Sequence, residues 1–127
     1  MEKEKFLIEY YFDKASKNSL WNHIGTAIGL SGWFADEVSS DDKIFTFKWK
    51  NHIMEAKEIG ISLNQYIRFH WLEDENPDTY FEFRLHKNEL TGGLMLEITD
   101  FAEPGEKDES IKLWNTQIKD LKRILGL

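Results

Sequence analysis

The four histidines of this chain are the residues whose chemistry most directly suggests a metal site. His23, His52, His70 and His86 are spread along the sequence, and none lies within four residues of another. Zinc ligands usually include closely spaced pairs, and the chain has no cysteine to complete such a site or to act as a thiol nucleophile. We therefore expect no metal and no cofactor.

General acid–base catalysis would require a carboxylate on an apolar face, where burial shifts its pKa. Glu9, Glu55, Glu82 and Glu97 lie at polar positions of segments with strand-like alternation. Glu58 is ambiguous because its segment alternates poorly, but glutamates are usually exposed. The chain also lacks the Gly-x-Ser-x-Gly motif of a serine nucleophile elbow. The sequence predicts no catalytic residue, and we do not expect an enzyme.

The elements that would position a site begin with one strand and two short helices. Residues 5–12 alternate between apolar and polar positions, which predicts a strand. Segment 13–24 then changes to a helical period, with Ser16 or Asn18 as a possible N-cap. A second helical turn is predicted around residues 26–30.

Six strands and a long helix are predicted in the rest of the chain. Between residues 35 and 101 apolar and polar residues alternate, with turn-type residues separating the segments. Such alternation is typical of antiparallel strands with one buried face, and a bulge is predicted near Gly60. Residues 108–125 carry apolar side chains at steps of three and four, which predicts an amphipathic helix ending near Gly126.

This order predicts one α+β domain over residues 1–127, with a β-α-α-β(6)-α arrangement. A sheet with one apolar face and a helix with one apolar stripe can each be buried only on the other. We expect a helix-grip fold, in which a curved antiparallel sheet wraps around the C-terminal helix. One helix cannot fill the whole concave face, so a hydrophobic cavity is expected beside it.

Three stretches carry a resemblance to a known family. They are LWNHIGTAIGLSGWFAD (20–36), GGLMLEITDF (92–101) and LWNTQIKDLKRIL (113–125). In these stretches the chain resembles the START-like, or Bet v 1-like, helix-grip superfamily (SRPBCC), and most closely its Hsp90-ATPase-activator-homologue type. One departure is the last strand, which ends EITDF where the family often has a Thr-rich, His-containing stretch. The resemblance implies a cavity for apolar ligands such as lipids, sterols or polyketides.

The main rival fold is an intracellular fatty-acid-binding barrel, which has a similar length and also begins strand-helix-helix. Such barrels end in strands, whereas residues 108–125 keep a helical period. The Arg and Tyr clamp that those barrels use for a carboxylate has no obvious counterpart here. The helix-grip fold is therefore favoured.

The candidate binding residues are mainly aromatic side chains of the predicted concave face. Tyr10 is the one inward hydroxyl, and it could orient a polar group of a ligand. Trp33 and Phe34 follow two glycines at a corner between a helix-like segment and a strand-like segment. We expect this corner to be a rim, with Trp33 partly exposed. The full predicted set is Tyr10, Trp33, Phe34, Phe45, Phe47, Phe69, Trp71, Phe83, Leu96, Trp114, Ile118 and Leu121.

Net charge narrows the possible partners. The formal charge is −7 and the pI is near 5.1, which argues against nucleic acid or an anionic membrane, since both are bound mainly through Lys and Arg. No apolar run is long enough to span a bilayer, and a cytoplasmic location is expected. The predicted function is non-catalytic binding of a hydrophobic or amphiphilic, lipid-like small molecule. The alternatives are a protein–protein module of the chaperone-linked type and a cyclase-like enzyme on the same fold.

Overall fold

The computed structural model describes residues 2–127, and its element order is the one predicted from the sequence. The chain opens with one strand and two short helices, which are β1 (Glu4–Phe12), α1 (Lys17–Ile24) and α2 (Ala27–Leu30). Six strands and one long helix follow, namely β2 (Glu37–Asp41), β3 (Ile44–Trp49), β4 (His52–Ser62), β5 (Tyr66–Trp71), β6 (Phe81–Lys87), β7 (Leu94–Ala102) and α3 (Lys107–Ile124).

The strands form one antiparallel sheet of seven strands in the order β1-β7-β6-β5-β4-β3-β2. Strands β2 to β7 follow one another as a meander, and β1 joins at the far side by pairing with β7. The pairing of β4 with β5 shifts register between Glu58 and Gly60, so the bulge predicted near Gly60 is confirmed. A bulge bends its strand and increases its twist, which helps the sheet to curve.

The helix ends follow from local sequence signals. The Ser16 side chain accepts a hydrogen bond from the Ser19 backbone N–H at 3.1 Å, and Thr26 caps α2 in the same way through Gly29 at 2.9 Å. After α3, Gly126 has a φ of +78°, a conformation that glycine adopts without strain. Of the two predicted cap candidates for α1, the structure therefore uses Ser16.

The hydrophobic core lies between the concave face of the sheet and the helices. Helix α3 buries Trp114, Ile118 and Leu121, and its other positions are largely polar and exposed. The two short helices contribute Leu20, Trp21, Ile24 and Leu30 to the same core. The arrangement is the predicted helix-grip fold, with an antiparallel sheet curved around the long C-terminal helix.

The outer face of the sheet contains a buried carboxylate, so the prediction that Glu82 is exposed is wrong. Glu82 is only 3% exposed because Arg68 and Arg84 close over it, each donating a hydrogen bond, at 2.9 and 3.0 Å. The guanidinium of Arg68 in turn lies 4.0 Å from the Tyr80 ring centre, and that of Arg84 lies 4.3 Å from the Tyr66 ring centre. Paired arginines and aromatic rings thus bury Glu82 without leaving its charge uncompensated.

Candidate ligand-binding cleft

A cleft of about 600 Å³ opens between helix α3 and the concave face of the sheet. It exists because the helices cover the sheet only in part: α3 contacts β1 and β7, whereas α2 contacts β2. The central strands lie between these two contacts. The cleft is lined by Phe34, Asp36, Trp49, Lys50, Asn51, His52, Met54, Trp71, Phe81, Asp100, Ser110, Leu113, Trp114 and Gln117.

The walls of the cleft are aromatic, and Phe34 lies at their centre. Its ring stacks on Trp114 and on Phe81 with 5.6 Å between ring centres, and on Trp71 at 6.5 Å. Trp71 also stacks on Phe81 at 4.7 Å. Rings that hold one another in this way form a rigid apolar surface, which is the kind of surface that lines ligand pockets.

The backbone carbonyl of Phe34 fixes the position of this corner. It accepts one hydrogen bond from the Gln117 side-chain amide of α3 at 2.9 Å and a second from the indole N–H of Trp49 on β3 at 3.1 Å. Both donors also line the cleft. The corner, the long helix and the sheet are thereby tied together at the cleft wall, so the cleft is held open by the fold itself.

The most unusual group in the cleft is the carboxylate of Asp100 on β7. Its Oδ2 accepts a hydrogen bond from the indole N–H of Trp114 at 2.9 Å, and its Oδ1 accepts one from the Phe101 backbone N–H at 2.8 Å. Burial raises the pKa of Asp100 to about 6, against the lowering effect of those two hydrogen bonds and of the Lys3 charge. A carboxylate in this position ionises near neutral pH inside an aromatic site.

The alternation of β7 identifies Asp100 as a carboxylate of the concave face, which the prediction based on glutamates missed. Leu94, Leu96 and Ile98 occupy every second position and are buried. The same period places Asp100 next on the concave face. The departure noted in the EITDF segment is therefore the place where the strand brings a carboxylate into the cleft.

The Trp33–Phe34 corner serves two roles, and the expectation that Trp33 is partly exposed is wrong. Trp33 is 4% exposed, and its indole N–H donates to the carbonyls of His23 and Gly29 at 2.9 and 3.0 Å. It therefore fills the space beneath α1 and α2, where its polar atom is already satisfied. Phe34, the next residue, faces the cleft.

The structure separates the twelve predicted binding residues into three groups. Phe34, Trp71 and Trp114 line the cleft. Tyr10 lies under α3, where its hydroxyl donates to Asn115 Oδ1 at 2.6 Å and burial raises its pKa to about 12. The remaining eight are at most 5% exposed and belong to the closed core, namely Trp33, Phe45, Phe47, Phe69, Phe83, Leu96, Ile118 and Leu121.

The histidines occupy separate places. The exposed His52 lies at the cleft mouth, where its ring stacks on Trp49 at 5.0 Å. His70 is partly buried and its Nδ1 bonds the Thr79 carbonyl at 2.8 Å, while His86 lies 3.7 Å from Glu97. Within residues 2–127, no three His, Asp or Glu side chains are grouped as metal ligands would be.

A curved antiparallel sheet that grips a long C-terminal helix, with a cleft between them, defines the helix-grip class of α+β proteins. The chain belongs to the START-like superfamily, whose domain matches residues 1–127. This membership confirms the resemblance identified in the sequence. No curated protein matches the chain in sequence.

Solved structures extend the likeness. A Bacteroides fragilis protein solved by solution NMR is 49% identical, with 98% of this chain and 92% of that chain covered and a TM-score of 0.68. The Aha1 dimer from Colwellia psychrerythraea is 17% identical, with 96% of each chain covered and a TM-score of 0.77. A crystal structure from Mesorhizobium loti is 12% identical, with 97% of each covered and a TM-score of 0.76. The last two likenesses concern the fold alone.

One further property bears on location. In the described part of the chain, every helix is too short or too polar to cross a bilayer.

Proposed function

We propose that this protein binds an apolar or amphiphilic small molecule in the cleft beside α3, without catalysing a reaction. The observation that carries the proposal is the aromatic wall formed by Phe34, Trp71, Phe81 and Trp114 around an open volume of about 600 Å³. That volume lies within the usual range for small-molecule sites, roughly 300–1,000 Å³. A ligand that covers an aromatic surface of this kind removes it from water, and this burial favours binding.

Binding without catalysis is favoured by the surroundings of Asp100. Its two hydrogen-bond donors are an indole N–H and a backbone N–H, and neither can take a proton from a substrate. Paired general acid–base chemistry would need a second titratable side chain near Asp100, and neither of its two hydrogen-bond donors is one. Asp100 is therefore better suited to holding a ligand than to transforming it.

The alternative of a chaperone-type protein partner draws support from the Colwellia neighbour, which is described as an Aha1 dimer. The outer face of the sheet offers little for such a partner. Its exposed apolar side chains include Leu7 and Tyr11 on β1 and Ile53 on β4. The sheet order puts β5 and β6 between those strands, and the Arg68–Glu82–Arg84 network occupies them, so no continuous apolar surface is formed.

The test is a titration of the folded protein with n-octanol, followed through the fluorescence of the cleft tryptophans. We expect saturable binding with a stoichiometry near one. The variant Leu113→Gln removes apolar area at the cleft mouth, where this side chain is 61% exposed. It should weaken binding about fivefold, which corresponds to the loss of roughly 1 kcal/mol of apolar contact.

The matched control is Leu90→Gln, because Leu90 is 98% exposed and lies in the loop between β6 and β7. Both variants change surface positions, so both should unfold within about 0.5 kcal/mol of the unmodified protein. Equal effects of the two substitutions on octanol binding, or no saturable binding at all, would contradict a ligand site in this cleft.

A further inference from the structure

Asp100 forms no ion pair with any of the residues that the structure describes. Each of its oxygens accepts one hydrogen bond, from Trp114 or Phe101, and none of the ion pairs formed among residues 2–127 includes it. An ionised carboxylate can accept about four hydrogen bonds. Roughly half of its accepting capacity is therefore free, in a group that lines the cleft.

The charged side chains described on the surrounding elements form no ion pair with Asp100. Lys3, which precedes β1 and whose charge acts on Asp100, pairs with Asp74 at 2.9 Å. Helix α3 contributes Ser110, Leu113, Trp114 and Gln117 to the cleft, and none of these is charged. The cleft mouth carries Lys50 from the β3–β4 turn, His52 from the start of β4 and Asp36 from the corner.

We propose that the ligand carries a cationic amine group, and that Asp100 binds this group while the aromatic wall binds its apolar body. This inference rests on the proposed function, since it assigns a chemical class to the ligand of the same cleft. An ammonium N–H can donate to the free lone pairs of Asp100, and such charge-assisted hydrogen bonds are the stronger kind. The faces of Trp114, Trp71 and Phe34 provide a second, cation–π attraction.

The same geometry discriminates against fatty acids. A ligand carboxylate beside Asp100 would place two like charges in a poorly solvated site, which disfavours the ionised pair. The net charge of −7 adds a general repulsion of anions. Amphiphiles with the same tail should therefore bind in the order amine, alcohol, carboxylate.

The experiment compares n-octylamine, n-octanol and n-octanoate at about pH 7.5, with the same fluorescence readout. We expect the amine to bind about tenfold or more tightly than the alcohol, as a charge-assisted hydrogen bond implies, and the octanoate to bind most weakly. Octanol binding without any preference for the amine would refute the role of Asp100 and leave the proposed function intact. Failure of all three ligands would refute both.

The variant Asp100→Asn keeps a carbonyl oxygen for the Trp114 indole and removes the charge. It should weaken octylamine binding about tenfold or more and change octanol binding less than twofold. Asp41→Asn is the matched control, since Asp41 is exposed at the end of β2, outside the cleft, and each substitution removes one negative charge. Equal effects of the two variants on octylamine would show that only net charge matters, and would overturn the proposal.

A pH titration of the unmodified protein keeps the test informative if Asp100→Asn does not fold. Octylamine remains protonated throughout the range, so its preference over octanol should shrink as the pH falls from about 7.5 to about 5 and Asp100 gains a proton. Asp36, Lys50 and His52 also line the cleft mouth, and the variant His52→Gln, titrated in the same way, is the control for the histidine. An amine preference that does not change with pH would count against Asp100 as its partner.

Discussion

The buried carboxylate of Glu82 and the partly buried carboxylate of Asp100 lie on opposite faces of the same sheet and have opposite electrostatic environments. Glu82 accepts hydrogen bonds from Arg68 and Arg84. Burial alone would raise its pKa, but the two arginines outweigh that effect and bring the pKa below its ordinary value. Among residues 2–127 none forms an ion pair with Asp100, and burial raises its pKa to about 6.

The difference shows which of the two carboxylate charges is neutralised by other side chains of the protein. The charge of Glu82 is neutralised by side chains from its own and the adjacent strand, and aromatic rings cover those side chains in turn. The charge of Asp100 is stabilised by hydrogen bonds from two N–H groups and, more weakly, by the charge of Lys3. A burial cost left uncompensated in a cleft marks a functional group more reliably than burial alone does.

Two tryptophans show the same contrast. Trp33 is 4% exposed and its indole N–H has two carbonyl acceptors, so nothing remains for a ligand to complete. Trp71 is partly exposed and lines the cleft. A ligand that covers Trp71 would remove apolar surface from water, whereas Trp33 offers no such gain.

The largest expected effect comes from Trp33→Ala, compared with Trp71→Ala. Loss of a fully buried tryptophan should lower the free energy of unfolding by about 3–5 kcal/mol, and octanol binding by the remaining folded protein should be unchanged. Trp71→Ala should cost about 1–2 kcal/mol, since water already reaches part of its ring, and should weaken octanol binding. Denaturant unfolding and octanol titration of both variants test the pair; a reversal of the two binding effects would place the ligand beneath the short helices.

The next largest effect on the free energy of unfolding is expected from Glu82→Gln. It leaves Arg68 and Arg84 without their shared anion, and the side chain of Glu82 is only 4% exposed. Breaking a buried ion pair is costly, but both arginines reach solvent, so we expect a loss of about 2–3 kcal/mol in the free energy of unfolding near pH 7. Glu97→Gln on the same face is the control. A loss below about 0.5 kcal/mol for Glu82→Gln would mean that solvent, and not Glu82, compensates the arginines.

Asp100→Asn should have the opposite effect and raise the free energy of unfolding. The pKa of Asp100 is raised in the folded chain to about 6, so folding is penalised where the carboxylate is ionised. That penalty is absent below about pH 4, where the group is protonated in both states, and it grows as the pH rises to about 6. The variant should therefore be more stable than the unmodified protein by about 1–3 kcal/mol at pH 7.5, with no gain near pH 4. Unfolding at several pH values measures this, and a gain that does not depend on pH would show that the charge is not its cause.

The smallest expected effect is that of His86→Gln. His86 is exposed, with its Nε2 3.7 Å from a Glu97 oxygen, and exposed pairs contribute little. Its substitution should change the free energy of unfolding by a few tenths of a kcal/mol. His70→Gln should cost more, about 1 kcal/mol, because the bond from His70 Nδ1 to the Thr79 carbonyl is partly buried. Equal values for the two would show that this bond contributes nothing to stability.

The fold was predictable because its signals are local and repeated. Alternation over many residues determined the strands, and the steps of three and four from Ile111 to Leu125 determined α3. Even the bulge near Gly60 was predicted, because its segment alternates poorly. Each of these signals involves many residues, so no single ambiguous position could change the result.

The site was predicted less well, because it depends on which parts of the concave face the helices leave uncovered. Alternation assigns Phe47 and Trp71 to the same face without distinguishing them, yet Phe47 is fully buried and Trp71 lines the cleft. Glu82 shows that alternation can assign the correct face of the sheet and still miss the burial of a side chain. Its position on the outer face was correct, and Arg84 lies two residues away on the same strand. Arg68, however, comes from the pairing of β5 with β6, which no spacing along the sequence reveals.

The pairing of β1 with β7 has a consequence for how the chain folds as it is made. Strands β2 to β7 can assemble from successive hairpins, whereas Glu4 pairs with Ala102 and Phe12 with Leu94. Contacts so distant in sequence close slowly, and β1 has no partner until β7 has left the ribosome. During that interval the apolar face of β1 remains open to water, including Phe6 and Phe12, which end at 4% and 1% exposure. The nascent chain is therefore most prone to aggregate just before its last strand emerges.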